Sequence, residues 1–328
     1  MGRVSGQTKV YSLLGLAILG VSTASILIRY SEAPAAALAF WRLVLALPVL
    51  AAGARAESRS ARGPVPRDEL RCVVASGICL AAHFHLWITS LRYTSVASSV
   101  VIVSSQPLFV MAGAHLWLGE RSARRGLWGG VIAVLGGALV GMGDLQVSGQ
   151  ALLGDLLALG GAVALAAYFL LGRAARRRLG TFTYSGLVYG TAALVLAALA
   201  GFRGETLLGY PPREWMLFLG LAVLPTLGGH TLFNWALGKI RATVVSLAQL
   251  GEPVGAAGLA YLFFREIPSR WVLAGGALIM LGVYLHLTER QGGTPDVLDG
   301  AQAEDLAPTF TPEREGEGTA GCSGQGCS

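Results

Sequence analysis

Charge is what this sequence lacks most. Only 13% of its 328 residues are Asp, Glu, Lys or Arg, where a soluble domain carries roughly 25%. That scarcity excludes a disordered chain and an ordinary water-soluble enzyme. Lysine is nearly missing, with Lys9 and Lys239 beside 23 arginines. With abundant Ala and Gly, this usage suggests a GC-rich genome and a prokaryotic plasma membrane. Cysteine is scarce too. Cys72 and Cys79 are one helical face apart in an apolar run, and Cys322 and Cys327 close the chain. Neither pair makes a disulfide framework or a zinc signature, so no metal and no cofactor are expected. G-x-S-x-G, H-E-x-x-H, P-loop and dinucleotide motifs are all absent, which argues against an enzyme. Without a nucleotide loop, any pumping must draw on a gradient rather than on ATP.

Apolar residues are what the chain has. Hydrophobic types make up 53%, and mean hydropathy is +0.58. Ten runs are long enough to cross a bilayer: 10–28, 34–53, 72–91, 94–118, 125–143, 151–171, 181–202, 214–237, 242–264 and 269–288. A span needs roughly 20 apolar residues, and in lipid each must satisfy its own backbone as a helix. The expected fold is therefore all-α and integral to the membrane, with ten transmembrane helices. The basic residues orient it. With the N-terminus inside, 18 of the 25 Lys and Arg fall on the inner side, which predicts both termini in the cytoplasm. The net charge of +6 then reflects topology and contact with membrane lipids rather than nucleic acid. From 289 onward, eight acidic residues, Pro and Gly predict a disordered cytoplasmic tail.

A shift of 146 residues superposes landmarks of the two halves. Pro107 falls on Pro253, Glu120 on Glu266, Arg124 on Arg270, Gly129-Gly130 on Gly275-Gly276 and Gly136 on Gly282. The chain reads as two five-helix units, 10–143 and 151–288, followed by the tail, 289–328. Five is odd, so the second unit must enter the membrane inverted. Inverted repeats are a common construction of secondary transporters. The cargo is expected to be a small molecule; pairing with a second copy as a homodimer is open.

Glu252 is the sharpest candidate site residue, because a carboxylate at membrane depth usually faces a cavity, a proton path or a substrate. Pro253 beside it removes a backbone donor, and Gly251 and Gly255 permit close helix approach. Its repeat counterpart is Gln106 beside Pro107, so Pro107 and Pro253 are candidate helix hinges. Arg42, in Phe40-Trp41-Arg42, is read as snorkelling to the interface, as a structural pairing group or as a substrate-anion contact. His83 and His85 point about 200° apart on a helix and cannot share a metal. One of them is expected to face the cavity, and His85 is taken as the candidate. His230 and Asn234 share a helical face, lining the cavity or bonding helices together. Glu120 and Glu266 read as caps or ion-pair partners.

These residues resemble a known family. Leu91-Arg92-Tyr93-Thr94-Ser95-Val96, Pro107-Leu108, Leu118-Gly119-Glu120 and Gly129 to Gly137 look like the second part of an EamA repeat of the drug/metabolite transporter superfamily. Ala236-Leu237-Gly238, Glu252-Pro253-Val254, Arg265-Glu266 and Gly275 to Gly282 look like a second copy. One departure is Phe264-Arg265, where a small residue and Gly usually precede the Glu. The resemblance implies a ten-helix carrier with a central cavity, exporting amino acids, other metabolites or toxic compounds. The expected function is a secondary transporter working by alternating access, with Glu252 as the candidate proton-coupling group. The alternatives are a facilitative uncoupled carrier and a membrane-embedded docking or sensor protein acting through its acidic tail.

Overall fold

The computed structural model of the chain describes residues 2–58, 67–118, 128–133, 135–137, 139, 148–176 and 179–287. Among these residues there is no strand, and nearly everything is helical. Glu120, Arg121, Arg124, Arg125, Cys322, Cys327 and the acidic tail lie outside the described residues.

Seven helical stretches of 21 to 27 residues are apolar and long enough to span a bilayer: Val10–Tyr30, Ala35–Glu57, Arg67–Ser90, Val96–Leu116, Gly149–Ala175, Thr181–Phe202 and Pro212–Leu237. Three shorter apolar helices, Trp128–Gly137, Glu252–Phe264 and Arg270–Gly282, account for the other runs. Run 242–264 falls short because it is broken into three pieces: α12 (Ala242–Ala248), one 3-10 turn (Gln249–Gly251) and α13 (Glu252–Phe264).

Other stretches are interrupted as well, each for a local reason. α1 (Gly2–Ser22) gives way to α2 (Ala24–Tyr30) at Thr23. There the Ser22 and Thr23 hydroxyls bond back to the carbonyls of Ile18 and Gly20, at 2.8 and 2.7 Å, and such back-bonding bends helices. α3 (Ala35–Val44) begins after Pro34, and α4 (Leu47–Ser58) continues it. α5 (Arg67–Ser90) is unbroken. α6 (Val96–Val103) is capped by Ser95, whose side chain accepts from the Ser98 N–H, and a turn at Ser104 and Ser105 leads to α7 (Gln106–Leu118). α8 (Gly149–Ala175) and α9 (Thr181–Phe202) are long and continuous. α10 (Pro212–Leu221) widens into a π-helix, Ala222–His230, which holds Pro225 and continues as α11 (Thr231–Leu237). α14 (Arg270–Leu287) ends the described fold.

The outer surface is apolar, and the interior, although mostly apolar too, holds a set of buried polar side chains. Leu19, Leu116, Leu194, Phe202, Met216, Val254 and Leu273 face outward. Arg42, Asn234, Gln106, His230 and Glu252 are buried. That distribution suits a lipid surround, where outward Leu and Phe cost nothing and polar groups must find partners inside. Small residues set the closest approaches. A Cβ on Gly20 would meet the Leu224 and Gly228 carbonyl oxygens at 2.8 and 3.0 Å, so α1 lies directly on the π-helix. A Cβ on Gly136 would lie 2.5 Å from the Gly275 carbonyl oxygen, and one on Gly282 would run into the Gly129 carbonyl. Shifting the first pair by 146 residues produces the second, with its members exchanged.

Candidate functional site

Two helix breaks define the centre of the molecule. Pro107 and Pro253 have no N–H to give the carbonyls four residues back, Val103 and Gln249, so the helical ladder lapses just before each. The lapses are the turn at Ser104 and Ser105 and the 3-10 turn at Gln249–Gly251. They fall 146 residues apart. Gln106 and Glu252 therefore stand at the starts of the resumed helices α7 and α13.

The breaks meet across the core. Gln106 donates from Nε2 to Gln249 Oε1 at 3.3 Å, and Gln249 in turn hydrogen-bonds the Glu252 side chain. One cavity is lined by Ser104, Gln106, Pro107, Ser246, Gln249 and Glu252 among others. An adjoining one shares Gln249 and Glu252 and adds His83, Trp87 and His230. Each holds about 10 Å³, room for roughly one water molecule, so this is a closed arrangement.

Arg42 is completely buried, which removes the snorkelling reading. Its Nε donates to Thr226 Oγ1 at 2.9 Å, and its guanidinium lies 4.2 Å over the Phe84 ring. The π-helix delivers Thr226 to that spot: its hydroxyl is bonded back to the Leu221 carbonyl five residues earlier, at 2.7 Å. Phe84 meets His230 edge-on at 5.1 Å, and His230 lies 6.3 Å from His83 between ring centres. His83 stacks on Trp87 at 5.9 Å. Its Nδ1 donates to the Gly161 carbonyl at 2.9 Å, leaving Nε2 for the cavity side.

Three expectations need correction. His85 does not line the cavities; His83 does. His85 is half-buried, in reach of Arg203 and Glu205, because packing of α5 on α8 turns the His83 face inward. Asn234 is fully buried but occupied: its Oδ1 accepts from Tyr168 at 2.5 Å and its Nδ2 donates to Ser185 at 3.0 Å. That makes it a tie between helices rather than part of the cavity wall. Arg42 sits behind Phe84 and His230, not on the wall itself. Glu252, Gln106 and His230 do line the cavities.

Trp87 and Gln249 were missed as cavity residues. Gln249 had a signal, being one helical turn before Glu252 on the same face; Trp87 had none beyond lying one turn after His83. Glu266 binds differently from its Arg265 neighbour: it accepts the Ala97 N–H at the start of α6, 3.3 Å away, and faces Arg29 at 4.0 Å.

An all-helical multi-pass membrane protein with polar side chains gathered at two helix breaks inside apolar runs belongs, as a class, with membrane transport proteins. The EamA-like transporter family matches residues 8–142 and again 152–288, so the chain belongs to that family and is a transport protein, not an enzyme. It is 25% identical over 223 residues to the pseudopaline exporter CntI of Pseudomonas aeruginosa, covering 68% of this chain and 77% of that one. It is 26% identical over 215 residues to the uncharacterized transporter YwfM of Bacillus subtilis, covering 64% and 71%. A solved crystal structure matches 85% of this chain and 96% of its own at a TM-score of 0.60 and 23% identity, a likeness of fold.

Proposed function

We propose that the chain is a secondary transporter of small organic metabolites, exporting compounds such as amino acids or toxic solutes across the plasma membrane by alternating access. Ten helices in two inverted halves, 10–143 and 151–288, carry the mechanism, with both termini in the cytoplasm. Glu252, Gln106, Arg42 and His230 serve the transport site, Asn234 braces it, and Pro107 and Pro253 are its hinges. His83 replaces His85 as the histidine facing the cargo.

The observation that carries this reading is the pair of helix breaks 146 residues apart, whose first residues, Gln106 and Glu252, line one cavity. Broken helices at corresponding positions of two halves are the arrangement transporters use for a midplane site. The exchanged contacts Gly136–Gly275 and Gly282–Gly129 favour two halves related by a pseudo-twofold axis. The exporter among the relatives favours outward movement of cargo. Glu252, the acid of the cavity, gives up a proton as the site opens to one side and regains it on the other.

Counterflow in proteoliposomes tests the proposal. Vesicles are preloaded with a panel of amino acids and metabolites, and exchange is followed with and without a pH gradient. Exchange by the wild type that responds to the gradient, and by Glu252→Gln that does not, is the expected result. Exchange indifferent to pH in both proteins contradicts proton coupling and leaves a facilitative carrier. No exchange of any solute by folded protein contradicts transport itself.

A further inference from the structure

Four of the interrupted stretches share an arrangement. α2 begins just after the bend at Thr23, and α6 ends at the turn of Ser104 and Ser105. α10 ends where the π-helix starts, and α13 begins just after the 3-10 turn. These four pieces pack on one another: α2 on α6, α10 and α13, and α6 on α13. Their broken ends reach the central cavities, with Ala24 of α2, Val103 of α6 and Glu252 of α13 in the wall. At their far ends two carboxylates join the first matched copy, 8–142, to the second, 152–288. Glu214, buried in the first turn of α10, accepts from Ser31 Oγ at 2.5 Å and from the Glu32 N–H at 3.0 Å, just past the end of α2. Glu266, two residues past α13, accepts from the Ala97 N–H in the first turn of α6 at 3.3 Å and faces Arg29 Nη2 at 4.0 Å. Arg29 also donates to the Leu91 and Thr94 carbonyls, at 2.9 and 3.2 Å, so Glu266 draws α2 and α6 together. Arg213 donates to the Tyr30 carbonyl at 3.0 Å, and the Tyr30 ring meets that of Phe264 at 5.1 Å.

We propose that α2, α6, α10 and α13 form a hinged roof over the cavities and that Glu214 and Glu266 are the two latches that hold it shut. A few residues at a helix break can absorb the dihedral change of a hinge, so each piece can tilt about its break with its own backbone bonds intact. What opposes the tilt is the set of contacts at the far ends, and hydrogen bonds to a charged group are the stronger kind. The proposed topology puts this roof on the outer side. Release of both carboxylates lets α10 and α13 part from α2 and α6, which opens the cavities outward. Arg29 and Glu266 keep 34% and 18% of their side-chain surface exposed, so water can replace the lost partners and the latch can re-form. This inference rests on the alternating-access reading and names the contacts that close one face.

Two experiments on the full chain, with the four native cysteines replaced, test it. In the first, Gln249→Cys is labelled with a membrane-impermeant thiol reagent in right-side-out and inverted vesicles, alone and combined with Glu214→Ala or Glu266→Ala. Each truncation is expected to raise labelling from the outer face about tenfold, as loss of a hydrogen bond to a charged group does, without raising labelling from the inner face. Should Glu214→Ala fail to fold, Ser31→Ala, which removes one of the two donors to Glu214, is expected to raise outer labelling severalfold. In the second, Ser31→Cys with Glu214→Cys is joined by a short reducible cross-linker, and counterflow of the amino acid and metabolite panel is followed in proteoliposomes. Exchange is expected to stop on cross-linking and to return on reduction. Outer labelling unchanged in every variant, a rise from the inner face instead, a cysteine pair that does not join, or a joined pair that exchanges as fast as the reduced one overturns the latches and leaves transport standing. Labelling that shifts as expected, with no exchange of any solute even by the reduced protein, sustains the latches and removes the transporter reading.

Discussion

Asn234 shows how one side chain in this core ties several helices together. Its two ends hold Tyr168 of α8 and Ser185 of α9, both buried. Truncation removes both bonds; the Ser185 hydroxyl loses its amide partner, while the Tyr168 phenol keeps Tyr189. Side-chain hydrogen bonds between membrane helices average about 0.6 kcal/mol each, so Asn234→Ala is expected to cost about 1 kcal/mol, read as a lower melting temperature in detergent. Tyr168→Phe, which loses the bonds to Asn234 and Tyr189, should cost a similar amount. Asn234 was legible as polar and on the His230 face, with helix bonding as one of its two readings; its partners were not legible, because they come from segments 49 and 66 residues away. The histidines make the same point. The spacing of His83 and His85 says they face apart; only the docking of α5 on α8 says which is inside. Arg42 was visible as an arginine two turns into an apolar run, but its burial depends on Thr226, which the π-helix brings from 184 residues along.

Helix ends and crossings carry two predictions. Arg265 ends α13 in the left-handed region, at φ 56°, the single non-glycine residue with positive φ among those described. Glycine occupies such C-terminal positions because it has no Cβ to clash. The family habit of Gly before this Glu therefore has a backbone reason, and Arg265 departs from it at a steric cost. Arg265→Gly is expected to stabilise the protein by about 1 kcal/mol, seen as a higher melting temperature. Gly136 and Gly137 offer a neighbouring pair with opposite surroundings: the first faces the Gly275 backbone and the second has nothing within 4 Å. Gly136→Ala should destabilise by about 1–3 kcal/mol through overpacking. Gly137→Ala should be neutral or stabilise by up to about 1 kcal/mol through helix propensity. If both behave alike, the crossing is not as described. The breaks themselves were partly readable, since Gln249-Leu250-Gly251-Glu252-Pro253 announces an interrupted helix. The π-helix was not, because Pro225 signals a kink without saying which way the backbone relaxes.

At the scale of the molecule, the apolar runs were the plainest part of the sequence. They needed only a length and a hydropathy, both local, to predict an all-helical membrane protein. The division into full spans and shorter helices was not local, because it depends on where backbone bonds lapse. The proposed topology, with an even number of helices and 18 of 25 basic residues inside, predicts that a reporter fused at either end reports the cytoplasm. Alkaline phosphatase fused at the C-terminus should be inactive, and a fluorescent protein there should be bright; the reverse pattern contradicts that topology.

Alternating access is the central claim, and Gln249 stands where it is most directly seen, between the two cavities and bonded to Gln106. With the four native cysteines replaced, Gln249→Cys would be treated with a membrane-impermeant thiol reagent in right-side-out and in inverted vesicles. A cysteine placed at Leu208, an exposed position in the loop between α9 and α10, serves as the fixed-side control. Position 249 is expected to be labelled from both faces, with exchanged solute shifting the balance, while position 208 is labelled from one. Labelling of position 249 from a single face under every condition, with the control behaving normally, would contradict alternating access.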